Sequence, residues 1–190
     1  MDTQGSRSWG VRVRPDGLVR FSLWAPAEPQ VRLSLVGRPD SLAMNAIDDG
    51  WHELETAHAS PGSLYWFTLG NGTNVPDPAS RFQPQDVSGP SEVIDTSLYT
   101  WRNPDWKGCP WHEAVIYELH VGSFTAAGTF RAAIEKLPHL VELGVTAIEL
   151  MPIGDFPGTR NWGYDGTFWY APESAYGRPE DLQALVDAAH

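Results

Sequence analysis

The apolar residues of this chain change period partway along, and that change limits the fold more than any other feature of the sequence. From Trp9 to about Leu69 they recur at every second position, as in Val19, Phe21 and Leu23, in Val31, Leu33 and Leu35, and in Tyr65, Phe67 and Leu69. Alternate side chains of a strand share a face, so this is the pattern of half-buried strands. Pro15-Asp16-Gly17, Pro26, Asp49-Gly50, Pro61-Gly62 and Asn71-Gly72 punctuate the runs at the spacing of an all-β sandwich. Trp24, Trp51 and Trp66 fall in strand contexts and are expected in its core.

After Trp111 the pattern differs. A short apolar run, Val115 to Val121, precedes Phe130, Ile134, Leu137 and Val141, which follow one another at helical spacings, and a second run covers Val145 to Ile153. Thr129 suits a helix N-cap and Gly144 a helix stop, while Pro138 between them is expected to kink or restart the helix. A loop of about 25 residues and a helix-like segment, Pro179 to Ala189, repeat the unit. Strands alternating with helices imply parallel pairing, as at the start of a (β/α)8 barrel or a doubly wound sheet. A complete barrel takes ~250 residues. The chain has 190, so no barrel closes within it.

The expected organisation is therefore a β-sandwich over residues 1–75, an extended connector over 76–111, and the start of an α/β domain over 112–190. The connector carries Pro76, Pro78, Pro84, Pro90 and Pro104 with no sustained period. Its Trp101 and Trp106, with Trp111, are expected to pack against the α/β domain.

Acidic residues outnumber basic ones 24 to 13, a net charge of -11, which argues against nucleic acid and anionic membrane as partners and leaves a neutral ligand such as a sugar polymer. Cys109 is the sole cysteine and is read as a small, partly buried thiol outside the chemistry. The start, Met1 to Gly10, lacks an apolar core of signal-peptide length, and no run of ~18 apolar residues occurs. A cytoplasmic protein is expected. His112, His139 and His190 lack metal-ligand spacing, and no GxGxxG, Walker-type, GxSxG or CxxC motif is present, so neither metal nor cofactor is expected.

The richest segment is Met151 to Tyr176, at the carboxyl end of the second expected parallel strand, where ligand sites gather in such folds. It holds Asp155, Phe156, Arg160, Asn161, Trp162, Tyr164, Asp165, Phe168, Trp169, Tyr170 and Tyr176. Rings beside carboxylate, amide and guanidinium groups suit a polyhydroxylated ligand; the same rings also suit a loop packed down on its domain. Glu118 and Glu149, with His120, could be taken for a glycosidase carboxylate set, but polar residues on barrel strands more often satisfy one another than react.

Several of these runs resemble the alpha-amylase superfamily. Ala114-Val-Ile-Tyr-Glu-Leu-His-Val-Gly-Ser-Phe124, Gly128-Thr-Phe130 and Leu143-Gly-Val-Thr-Ala-Ile-Glu-Leu-Met-Pro152 are similar to the first two strands of its catalytic (β/α)8, or TIM, barrel. Asp155-Phe-Pro-Gly158, Arg160-Asn-Trp-Gly-Tyr-Asp-Gly166, Ala175-Tyr-Gly-Arg-Pro-Glu-Asp-Leu182 and the connector Val75-Pro-Asp-Pro-Ala-Ser-Arg-Phe-Gln-Pro84 resemble its malto-oligosyltrehalose trehalohydrolases more than its branching or debranching enzymes. The resemblance implies an immunoglobulin-like sandwich of the glucan-enzyme type followed by two of eight barrel units. It implies retaining hydrolysis of the α-1,4 bond that joins trehalose to a malto-oligosaccharide, without cofactor, and a functional link to malto-oligosyltrehalose synthase.

By the same resemblance Tyr164 stacks on a sugar ring and Asp165 binds its hydroxyls, with Trp162, Asn161 and Arg160 as weaker substrate-binding candidates. The catalytic acids of such enzymes sit on later barrel strands, so none is carried over and the chain is expected to be inactive alone. Two other readings are open: part of a glycogen branching enzyme, and a non-catalytic glucan-binding module.

Overall fold

The computed structural model describes residues 9–190; residues 1–8, and with them most of the start in which no signal-peptide core is expected, lie outside the described residues. The chain divides into two compact units, the first ending at Asp95 and the second running from Thr96 to His190.

The period-two runs form strands. β1 (Arg12–Val13), β2 (Val19–Trp24), β3 (Val31–Leu35), β4 (Leu42–Ala43), β5 (Asn45–Ile47), β6 (Trp51–Thr56), β7 (Leu64–Leu69), β8 (Asn74–Val75) and β9 (Ser91–Glu92) make two antiparallel sheets. One has the order β1-β2-β6-β5 and the other β4-β3-β7-β8, with β9 also paired to β7. Val19, Phe21 and Leu23 of the first sheet share one core with Val31, Leu33, Leu35, Tyr65 and Phe67 of the second. The Phe21 and Tyr65 rings meet edge to face at 5.0 Å across it. Burying each such side chain contributes about 1.5–3 kcal/mol, which is what selects the period-two register.

One expectation about this core fails. Leu23 points inward, so Trp24 points outward beside its register partner Trp51 and stays exposed, its indole N–H donating to the Asp49 carbonyl at 2.9 Å. Trp51 is buried because the Trp9 ring covers it at 4.7 Å, and Trp66 is half-buried.

Residues 76–95, read from composition as connector, fold into this same unit. Asp77 accepts from the Tyr65 hydroxyl at 2.7 Å, its N–H donates to Ser91 Oγ, and that hydroxyl donates to Gln83 Oε1 at 2.6 Å. A segment without apolar period is held here by buried polar groups that satisfy one another.

In the second unit β10 (Ile116–Leu119) precedes α1 (Val121–Phe124), α2 (Phe130–Ile134), α3 (Leu137–Glu142), β11 (Ala147–Leu150), β12 (Gly154–Asp155), β13 (Phe168–Pro172) and α4 (Pro179–Ala189). β10 and β11 pair in parallel, Ile116 with Ala147 through Leu119 with Leu150, as the alternation predicted, but both strands are shorter than the apolar runs that announced them. Thr129 caps α2 by accepting from the Ala132 N–H at 3.2 Å. The helix breaks at Glu135 and Lys136 and restarts with Pro138 in its first turn, and Gly144 ends it at φ +82°. Leu119, Val121, Phe130, Ala133, Phe156, Tyr176 and Leu185 form the core.

The segment before β10 behaves differently from its expectation. Trp101 and Trp111 are exposed, and Trp106 stacks on the His190 ring at 3.7 Å while remaining half in solvent. The attachment is polar instead: the buried Asp187 carboxylate of α4 accepts from the Tyr99 hydroxyl, the Arg102 and Asn103 N–H groups and Arg102 Nε, all at 3.0–3.2 Å. Burial pushes this carboxyl up, but those donors outweigh it and hold the pKa at about 2.

Candidate functional site

The long loop after β11 is not structureless. β12 and β13 pair in antiparallel fashion inside it, and two buried carboxylates close the base of the hairpin. Asp155 accepts from the Ser174 N–H at 2.9 Å, while Glu173 accepts from the Phe156 N–H at 3.0 Å and the Ala175 N–H at 2.8 Å. Phe156, Phe168 and Tyr176 point into the unit's interior. Four of the eleven residues singled out in this segment are thus structural, since Asp155 joins the three rings inside.

Of the remaining residues, Arg160, Asn161, Trp162, Tyr164 and Asp165 lie between the hairpin strands and Trp169 and Tyr170 in β13. Tyr164 is 69% and Trp162 78% exposed, and Trp169 and Tyr170 of β13 are exposed as well. Arg160 and Asp165 are also exposed, whereas Asn161 is half-buried. Asn161 Nδ2 donates to Asp165 Oδ2 at 2.9 Å, and Asn161 Oδ1 accepts from the Gly163 N–H at 2.7 Å. Gly163 has φ +97°, and a Cβ there would lie 2.1 Å from the Pro152 carbonyl oxygen, so the loop's path requires glycine.

Beneath this loop lies His120, the residue between β10 and α1. Its Nε2 donates to the Asn161 carbonyl at 2.6 Å, with the Tyr176 hydroxyl 3.2 Å from the same nitrogen. Tyr176 is buried edge-on against His120, Phe130 and Phe156. Burial first, and then the Glu173 charge, pushes its phenol up to about 12, so it remains a neutral hydroxyl. His120 and Tyr176 were not placed together by sequence reasoning. No sequence signal pairs them; the fold accounts for Gly122, where a Cβ would meet both rings at about 3 Å.

Glu118 and Glu149 do come together: they are register partners on adjacent parallel strands. Both are exposed, and His120 turns away to the loop. Among the described residues no three His, Cys, Asp or Glu side chains gather to hold a metal ion, and no helix is long and apolar enough to cross a membrane.

Chemically, the loop presents apolar ring faces beside a carboxylate with one oxygen engaged by Asn161. Ring faces of this kind cover the C–H faces of a pyranose, and a charged acceptor makes hydroxyl hydrogen bonds about twice as strong as neutral ones.

Residues 67–190 match the family model described as alpha amylase, catalytic domain. The chain is 49% identical over 171 residues to a malto-oligosyltrehalose trehalohydrolase of Deinococcus radiodurans, covering 90% of this chain and 28% of that protein. It is 42% identical to one from Saccharolobus solfataricus, covering 96% of this chain and 32% of the relative. A solved structure of a putative alpha amylase from Salmonella typhimurium is similar at 54% identity and a TM-score of 0.93, over 97% of this chain and 31% of that one. The chain thus spans about 30% of the length of the proteins it matches.

Proposed function

This chain belongs to the alpha-amylase family, and from that premise we propose that its parent protein is a retaining glycoside hydrolase releasing trehalose from malto-oligosyltrehalose. The observation that carries the reading is the 49% and 42% identity to two trehalohydrolases across nearly the whole chain. It favours hydrolysis over the glucan-chain transfer of a branching enzyme. The first unit is then the immunoglobulin-like sandwich of such enzymes, and β10 through α4 are the opening units of the barrel. The parallel pairing of β10 with β11 supports this. A cytoplasmic setting, and a partner enzyme that makes the trehalose-ended substrate, belong to the same reading.

In this reading Tyr164 stacks on a glucose ring and Asp165 binds its hydroxyls, while Trp162, Asn161 and Arg160 frame the subsite. A retaining mechanism needs two carboxyl groups about 5–5.5 Å apart on either side of the bond, and we assign neither to these residues. The purified chain should therefore bind maltohexaose in a calorimetric titration yet release no trehalose from maltotriosyltrehalose. Tyr164→Ala should weaken binding by roughly 1–3 kcal/mol, by analogy with other stacking platforms. Unchanged binding would remove Tyr164 from the site. Turnover above a buffer blank would mean that Glu118, Glu149 or Asp165 does chemistry.

A further inference from the structure

We infer that His120 and Asn161 form a clamp that positions Asp165 and Tyr164, so that Asn161 acts on the sugar through its neighbours instead of touching it. The inference rests on the reading of Tyr164 and Asp165 as a sugar subsite. The side-chain atoms of Asn161 face inward along the loop: its amide oxygen takes the Gly163 N–H at 2.7 Å and its amide nitrogen donates to Asp165 at 2.9 Å. Its carbonyl takes the His120 Nε2–H at 2.6 Å. Hydrogen bonds therefore link the imidazole that follows β10, through one asparagine, to the carboxylate.

Tyr164 lies between the two residues that Asn161 holds, Gly163 and Asp165. Its exposed ring has its backbone fixed on both sides although the ring itself packs on little. The imidazole is in turn held by the Tyr176 hydroxyl at 3.2 Å and by the edge of that ring, which is part of the unit's core. A carbonyl can only accept, so the bond from Nε2 selects the Nε2–H tautomer, and Nδ1 is buried without a hydrogen-bond partner among the described residues. A carboxylate accepts about four hydrogen bonds over its two oxygens. Asn161 addresses Oδ2 of Asp165, which leaves Oδ1 to meet sugar hydroxyls. Pre-ordering of this kind raises affinity by lowering the entropy lost when ligand binds.

The test is a maltohexaose titration of the whole chain and five variants, with unfolding midpoints and the ring-nitrogen NMR spectrum of His120 recorded alongside. Asn161→Ala and His120→Ala should each weaken binding about tenfold, the effect of one lost hydrogen bond to a buried partner. His120→Gln, whose amide can still donate to the Asn161 carbonyl, should recover most of the affinity. The spectrum should show the Nε2–H tautomer in the unsubstituted chain. If Tyr164→Ala and Asp165→Ala lose binding while His120→Ala and Asn161→Ala bind normally, the clamp is wrong and the subsite stands. If His120→Gln is as weak as His120→Ala, or His120 is the Nδ1–H tautomer, the clamp is likewise overturned. If Tyr164→Ala and Asp165→Ala bind as the unsubstituted chain does, or nothing binds, the subsite reading fails and takes the clamp with it.

Discussion

Asp77 is a carboxyl that the fold holds at a cost. Burial outweighs the bonds it accepts from the Tyr65 hydroxyl and the Ala79 N–H and raises its pKa to about 6. A carboxyl raised on folding stabilises the native state fully below its unfolded pKa, and that contribution is lost as pH rises through the folded value. The loss here falls between about pH 4 and pH 6 and amounts to about 3 kcal/mol for a shift of about two units. Urea unfolding at pH 4.5 and pH 7.5 should show the first unit more stable at the lower pH by a margin that Asp77→Asn removes. The same pH dependence in both proteins would contradict the assignment. Such residues show how much of the sequence was readable one position at a time. Thr129 and Gly144 were read correctly because capping is local. Trp24 was not, because which face it takes depends on the phase of its strand against Trp51, 27 residues on. Asp77 was passed over because only the fold brings Tyr65, Gln83 and Ser91 around it.

Among the elements, strands with several alternating apolar residues were legible and two-residue strands were not. β12 has no period to reveal it, and its pairing with β13 rests on carboxylates whose partners lie about 18 residues away. The same holds for the tie between α4 and residues 99–103, which centres on the Asp187 carboxylate, with one further bond from Asn103 Nδ2 to the Asp187 carbonyl at 2.9 Å. Asp187→Ala leaves the Arg102 and Asn103 N–H groups and the Tyr99 hydroxyl without their acceptor. Trypsin should then cut after Arg102 many times faster than in the unsubstituted chain, with little change after Arg20, which lies in β2 and pairs with Glu53. An unchanged digestion pattern would show that other contacts hold the segment. In the candidate site, Tyr164 and Asp165 were proposed from resemblance, within a segment whose rings lie beside carboxylate and amide groups in the sequence. The hydrogen bonds of His120 to Asn161 and to Tyr176 were not legible, because His120 and Tyr176 lie 41 and 15 residues from Asn161 along the chain.

For the molecule as a whole, the two units bury apolar surface to different degrees. In the first, two sheets share a core in which Val19, Phe21, Leu33, Phe67 and Val93 are fully buried. In the second, β10 and β11 form a two-stranded sheet whose Ile116 and Tyr117 are exposed, as are Val115 just before β10 and Val141 and Leu143 at the end of α3. A pair of short parallel strands open on its faces has little to resist local opening. Amides of β2, β3, β6 and β7 should therefore exchange with solvent near the global unfolding limit, and those of β10 and β11 orders of magnitude faster, in a hydrogen-exchange experiment on the monomer. Comparable protection in both would mean that the open faces of β10 and β11 are covered in solution.

The distribution of tryptophan has an optical corollary. Of nine tryptophans, Trp9, Trp24, Trp101, Trp106, Trp111, Trp162 and Trp169 are exposed in the folded chain. Native emission should already lie near that of a solvated indole, so intrinsic fluorescence will barely register unfolding. For the same reason it should respond sensitively when a ligand shields Trp162 from water.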